Sequence, residues 1–171
     1  MFVLMAGLPG TGKTTLAHEL AAHTTGRVVS KDEIRHSIFV PEEIEYSSQQ
    51  DDFCLQLMLK TAEYLLSLNR LRVIFLDGRP FSRRYQIENV LAAADRMQQP
   101  WKILECVCAE ETARRRLEAD AAHKAHHAEN RSYQLYLEVK ARFETIMLLK
   151  TVIDTNQPLT ACVAQGLAAL D

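Results

Sequence analysis

Phe2-Val3-Leu4-Met5-Ala6-Gly7-Leu8-Pro9-Gly10-Thr11-Gly12-Lys13-Thr14-Thr15 follows the initial methionine and decides the reading of the fold. Phe2 to Ala6 are all apolar, as a strand buried on both faces of a parallel sheet requires. Leu16, Ala17, Leu20 and Ala21 then recur at helical spacing. Between strand and helix, Gly7 to Thr14 fits G-x-x-x-x-G-K-[ST]. Glycines let such a loop fold into a concave nest whose amide hydrogens point inward. Those amides and the positive end of the following helix bind a polyphosphate. Lys13 would reach the β- and γ-oxygens as a mobile point charge. Thr14 would offer its hydroxyl to magnesium, which takes most of its other ligands from water and phosphate. The candidate nucleotide-binding set is Gly7, Pro9, Gly10, Thr11, Gly12, Lys13, Thr14 and Thr15.

Working outward, strand and helix signals alternate. Arg27 to Ser30 reads as a second strand and Asp32 to Phe39 as a short helix. Val40 to Gln50 holds Pro41, an acidic cluster, Tyr46 and two serines, and reads as an exposed loop. Asp52 to Asn69 reads as a helix with an apolar stripe of Phe53, Leu57, Met58, Leu65 and Leu66. Val73 to Leu76 is a third strand, and Ser82 is placed to cap a helix running to about Met97. Trp101 to Cys108 is a fourth strand and Glu110 to Ala119 a helix. Asp120 to Asn130 has three histidines and no apolar period, so it reads as a mobile connection. Ser132 to Met147 reads as a helix, Val152 and Ile153 mark a fifth strand, and Leu159 to Leu170 is a last helix. Strands alternating with helices imply a parallel sheet covered on both faces.

A loop of this kind wants an acid on a neighbouring strand. Val73-Ile74-Phe75-Leu76-Asp77 supplies one at the strand's C-terminal end. Asp77 would bind Thr14 or a magnesium-bound water. It is also an ordinary turn aspartate before Gly78. Ser30-Lys31-Asp32-Glu33-Ile34-Arg35 follows the second strand. Ser30 and Glu33 form a capping box, and Asp32 suits the helix dipole with no catalytic role. Ligands of open parallel sheets bind beyond the strands' carboxyl ends. There Asp32 would accept the proton of an attacking hydroxyl, and Arg35, one turn on, would hold an anionic group of the acceptor.

Gly-x-Pro-Gly-x-Gly-Lys-Thr-Thr followed by Asp-x-x-Arg resembles the polynucleotide 5′-kinases and related small P-loop kinases. That group includes chloramphenicol phosphotransferase-like and zeta-toxin-like enzymes, many catalogued as AAA-type ATP-binding proteins. Lys31 to Arg35 and the run Asp77-Gly78-Arg79 with Arg83-Arg84 carry the likeness further. The resemblance implies a P-loop NTPase three-layer α/β sandwich: a five-stranded parallel sheet, helices on both faces and an arginine-bearing lid over about 112–131. It implies ATP and magnesium as cofactors, Asp32 as general base, and Arg35 as a ligand for the acceptor's phosphate; Arg79, directly after the Asp77-Gly78 turn, is placed to face the acceptor. Lid arginines would neutralise the transferring phosphoryl group. Arg114, Arg115 and Arg116 stand in that place, Arg116 matching best. Asp120 occupies the position of the family's second lid arginine, and Arg131 is the candidate replacement. Three adjacent arginines also suit a solvated helix face, Arg79 a packing or surface role, and Tyr46 either acceptor stacking or plain exposure.

With 171 residues, 47% of them hydrophobic, the chain suits one domain with a sizeable core. A net charge of −2 lacks the broad basic balance of a non-specific nucleic-acid binder, although a nucleic-acid 5′-hydroxyl stays among the acceptors beside small metabolites. No apolar run has the length of a membrane span, and no signal-peptide pattern opens the chain, which reads as cytoplasmic. Cys54, Cys106, Cys108 and Cys162 are scattered and read as reduced thiols. His126 and His127 lack the four-ligand pattern of zinc. No Asn-Lys-x-Asp guanine-reading motif and no heptad appear, so ATP over GTP follows from the resemblance alone and oligomeric state is open. The competing function is an ATP-dependent regulatory switch with no dedicated acceptor.

Overall fold

The computed structural model describes residues 1–68, 73–123 and 132–171. Its elements run β1 (Phe2–Ala6), α1 (Lys13–Ala22), β2 (Gly26–Ser30), α2 (Lys31–Ile38), α3 (Ser48–Ser67), β3 (Val73–Asp77), α4 (Arg84–Arg96), β4 (Trp101–Val107), α5 (Glu110–His123), α6 (Tyr133–Ala141), β5 (Thr151–Asp154) and α7 (Leu159–Leu170). The five strands form one parallel sheet in the order β2-β3-β1-β4-β5. β1 therefore sits at the centre, hydrogen-bonded to β3 on one side and β4 on the other.

Alternation along the strands builds two cores. Phe2, Leu4, Ala6, Ile74, Leu76 and Ile103 face Leu55 and Met58 of α3 and Ile87 and Val90 of α4. Val3, Met5, Phe75, Leu104, Cys106 and Ile153 face Leu16 and Leu20 of α1 and Cys162 and Val163 of α7. The result is the expected three-layer sandwich: successive side chains of a strand point to opposite faces, and each face is covered by helices. A third, small cluster joins α5 to α6 through Ala113, Leu117 and Tyr136, with Leu8 of the glycine loop against it.

Five local expectations are corrected. Ser82 does not cap α4. Ser82 is buried, its carbonyl accepts from Glu144 N–H (2.8 Å), and the helix begins at Arg84 with Arg83 as N-cap. A free N–H at that end, Arg84 N–H, donates to the carboxylate of Glu144 at 2.7 Å. The helix predicted to reach Met147 ends at Ala141, because Phe143 and Ile146 turn into the α3–α4 core. The stripe on α3 is rotated: Cys54, Leu55, Met58, Leu59 and Ala62 are buried, whereas Phe53 is exposed and packs on Phe39 with ring centroids 6.0 Å apart. The same helix starts at Ser48, capped by Ser47, inside the stretch read as loop. The predicted mobile connection is the end of α5 as far as His123, and its remainder, with His126 and His127, lies outside the described residues, as does Arg131. No described helix is long and apolar enough to cross a membrane.

Candidate active site

The loop between β1 and α1 closes tightly around its own backbone. Gly10 has φ +77°, and a Cβ there would sit 2.7 Å from the Ala113 carbonyl of α5, so only glycine fits. Gly12, the N-cap of α1, also adopts a left-handed conformation. Lys13, nearly buried, donates from Nζ to the Leu8 carbonyl at 2.8 Å, lying back across the loop. Thr14 donates from Oγ1 to Asp77 Oδ2 at 2.8 Å. This contact exists because β3 lies directly beside β1, bringing the two strand ends together.

Asp77 is 1% exposed, and its other oxygen, Oδ1, is buried with no hydrogen-bond partner among the described residues. A buried unpaired carboxylate oxygen is costly and calls for a cation or an ordered water. Among the described residues there is no group of three or more His, Cys, Asp or Glu side chains able to hold a metal. A hydroxyl and one carboxylate are hard oxygen donors suited to magnesium, whose remaining ligands are water and phosphate. The residues therefore fit that ion. Behind the loop, burial pushes the Cys106 thiol up to about 12, so it stays protonated and inert at neutral pH.

Two clefts flank the loop. The first runs past Lys13 and Thr14 to Asp32, Arg35, Asp51 and Arg79. β2 pairs with β3 so that Ser30 lies opposite Asp77, which sets the start of α2 next to that carboxylate. Gly78 makes this approach possible: at φ +86° its missing side chain leaves room for Lys31 N, which a Cβ would meet at 3.0 Å. Ser30 caps α2 by accepting from Glu33 N–H at 3.4 Å, as its sequence suggests. Asp32 is 6% exposed, and its Oδ1 accepts from Arg35 Nη1 at 3.1 Å. Arg35 is fully buried; its Nη2 donates to Asp51 Oδ1 and its guanidinium lies 4.9 Å from the Tyr46 ring centroid. Lys31 donates to the same Asp51 oxygen at 2.7 Å. Arg79, 1% exposed, donates to Asp52 Oδ1 at 2.6 Å and to the Asp51 carbonyl at 3.4 Å.

The second cleft lies on the other side of the loop, between Gly12, Thr15, Arg116, Asp120, Gln157 and Leu159. Of the three adjacent arginines, Arg116 is the one that contacts the loop. It donates to the carbonyls of Gly10 (3.4 Å) and Thr155 (2.7 Å) and to Thr155 Oγ1 (3.0 Å). Arg114 pairs with Glu118 at 2.9 Å and Arg115 is exposed. Thr155 Oγ1 in turn donates to the Thr11 carbonyl at 3.0 Å, tying the β5–α7 turn to the loop. Asp51, Asp52 and Thr155 make contacts around these clefts and were not singled out by the sequence reading. The only local signal was the adjacent acids Asp51-Asp52 beside a presumed loop.

A glycine loop closing onto a helix N-terminus, with a threonine–aspartate pair from adjacent parallel strands, defines a P-loop domain of kinase-like α/β fold. The chain belongs to the AAA domain family, whose model matches residues 2–146. No curated protein matches the sequence. Several solved structures share the fold. A sugar kinase from Janibacter sp. is 19% identical with TM-score 0.71, the alignment covering 99% of this chain and 94% of that one. The APS kinase of Mycobacterium tuberculosis, solved with AMPPNP and APS, is 14% identical with TM-score 0.72 over 99% and 96% of the two chains. Chaetomium thermophilum Kti12, solved with ADP-AlF3, is 14% identical with TM-score 0.67 and full coverage of both chains.

Proposed function

We propose that this chain is an ATP-dependent phosphotransferase, moving the γ-phosphoryl group of ATP to a hydroxyl of an acceptor. One observation carries the reading: Asp32 lines the same cleft as Lys13 and Thr14. No hydrogen bond among the described residues engages its Oδ2. A carboxylate with one oxygen fixed and the other open, beside the phosphate loop, is placed to take a proton.

In this reading the triphosphate lies along Gly7 to Thr14, with the nucleoside in the cleft beside Arg116. Lys13 swings from the Leu8 carbonyl onto the β- and γ-oxygens. Asp32 Oδ2 accepts the acceptor's hydroxyl proton as that oxygen bonds to the γ-phosphorus. The bond from phosphorus to the β,γ-bridging oxygen breaks, its electron pair staying on ADP. Arg116 and the lid of about 112–131, with Arg131, screen the transferring charge. Thr14 and Asp77 would hold magnesium, which supplies charge neutralisation on the phosphate oxygens when bound. The family and the kinases among its structural neighbours support ATP as the donor and a phosphotransferase as the class.

The regulatory-switch reading has one observation in its favour: Asp32 is already ion-paired with Arg35 and lies 3.6 Å from Lys31, as a structural carboxylate would. ATP turnover with and without acceptors separates the two. The phosphotransferase reading expects stimulation by an acceptor, stoichiometric labelled product from γ-labelled ATP, and loss of about 10²-fold or more of that transfer in Asp32→Asn with ATP affinity retained. Equal turnover by both forms, indifferent to every acceptor, would point to the switch.

A further inference from the structure

We infer that the acceptor is a polyhydroxylated molecule with no phosphate beside its reacting hydroxyl, and that Asp51 is its second hydroxyl-binding carboxylate; this rests on the phosphotransferase reading. Three cations line the acceptor side of the α2–α3–β3 corner, Lys31, Arg35 and Arg79, and each is paired with a carboxylate. Lys31 and Arg35 meet at Asp51, Arg35 also holds Asp32, and Arg79 holds Asp52. Three positive charges thus face three negative ones, and the corner is neutral as a unit. Arg35, the residue a phosphate-bearing acceptor would need, is 0% exposed. An acceptor phosphate would have to strip it from Asp32 and Asp51 and would leave Lys31 alone to serve both carboxylates, a heavy cost for buried groups.

What the corner does offer is acceptor oxygens. Arg35 and Lys31 take Oδ1 of Asp51, and Arg35 takes Oδ1 of Asp32. No hydrogen bond among the described residues engages Oδ2 of either, and both side chains line the cleft that holds Lys13 and Thr14. Two fixed carboxylates with open oxygens repel an anion and accept from hydroxyl donors. Arg35 bridges the two acids and fixes their spacing, as it is itself held by Tyr46. Tyr46 sits at φ +50°, a conformation uncommon for a bulky residue, and its ring lines the same cleft as an apolar platform. A carboxylate pair with an aromatic face matches the alternating hydroxyls and C–H faces of a sugar or polyol. Arg142, the remaining cation on this wall, is exposed and belongs to the end of α6 rather than to the corner around Asp32.

The test uses the full chain, γ-labelled ATP and magnesium, with two acceptor sets: unphosphorylated sugars, sugar acids and sugar alcohols, and 5′-hydroxyl oligonucleotides with nucleoside 3′-monophosphates. Transfer is expected to the first set with kcat/KM at least about tenfold above the second, the order of one hydrogen bond to a charged group. Asp51→Asn should raise KM for the preferred polyol about tenfold with KM for ATP unchanged. Asp51→Glu keeps the counter-charge that Lys31 and Arg35 need while moving the open oxygen, so it should raise the polyol KM with unchanged melting temperature. Preferred transfer to oligonucleotide ends or nucleoside monophosphates would overturn the inference and leave the phosphotransferase standing. An unchanged acceptor KM in both Asp51 variants would overturn it too. Hydrolysis alone, with no acceptor labelled, would overturn the phosphotransferase reading and this inference with it.

Discussion

The two sides of Lys13 are built from different materials. On the side proposed for the nucleotide, eight contiguous residues form a loop that turns at glycines of positive φ. On the side proposed for the acceptor, the wall is assembled from side chains of α2, α3 and the end of β3, held in register by ion pairs. A backbone nest serves any polyphosphate and is fixed by local conformation. A side-chain wall is set by tertiary placement, so it differs wherever the flanking helices differ. The neighbours fit that division: their folds agree over nearly the whole chain, while their names span a sugar kinase and an APS kinase.

Removing the lysine strikes where the two sides meet. Lys13→Ala is expected to lower kcat/KM by about 10³-fold, the scale of losing one preorganised charge at the transferring group. The melting temperature should change far less than the rate, because Lys13 donates to a backbone carbonyl of its own loop. Steady-state kinetics with differential scanning calorimetry checks both halves. A variant that unfolded instead would make the loop's lysine structural.

Arg35→Ala probes the other material. It leaves Lys31 as the remaining cation for Asp32 and Asp51 in a nearly closed corner, and breaking a buried pair costs up to about 3–5 kcal/mol. Urea unfolding should show that loss, with AMPPNP affinity largely preserved in the surviving folded fraction. A loss confined to acceptor affinity, with stability intact, would instead return Arg35 to the role of acceptor ligand that Asp-x-x-Arg suggests.

The smallest effect concerns the outer wall. Glu110 accepts from Lys140 and from Tyr133 Oη (2.6 Å), joining α5 to α6, which carries Leu135 and Val139 into the acceptor cleft. The Lys140 ammonium, then the Tyr133 hydroxyl, hold the Glu110 carboxyl below its ordinary range. A carboxyl lowered on folding stabilises above its unfolded pKa and loses that contribution as pH falls through the folded value. Acceptor KM should therefore be flat near neutrality and rise below the ordinary glutamate range, by about twofold, as exposed pairs are weak. Glu110→Gln should show the raised KM at neutral pH and lose the acid limb. An acid limb unchanged in that variant would assign it to another group.

The same division decided how much was legible beforehand. β1, the loop and α1 are contiguous, so apolar run, glycines and lysine announced themselves together. Asp77 was readable as the polar end of a buried strand, whereas Arg116 stood out from its two arginine neighbours only through the family resemblance. Asp51 was missed because its segment carries proline, acids and serines that look like loop, and its role exists only through Lys31 and Arg35, each at least 16 residues away. The caps and ends around α4 and α6 failed for a related reason. Glu144, 60 residues distant, supplies the bond to Arg84 N–H, and docking of Phe143 and Ile146 outweighs the helical propensity of the sequence around them. Arg79 was read as facing the acceptor; it lines that cleft, yet its guanidinium is spent on Asp52.

The central claim is that one cleft brings the loop and Asp32 to the same reacting group. A crystal structure with AMPPNP, magnesium and an acceptor that is labelled in turnover tests it most directly. The triphosphate is expected along Gly7 to Thr14 and the reacting hydroxyl about 2.6–3.2 Å from Asp32 Oδ2. An acceptor hydroxyl seated away from Asp32, with the Asp32–Arg35 pair walled off from it, would contradict that claim.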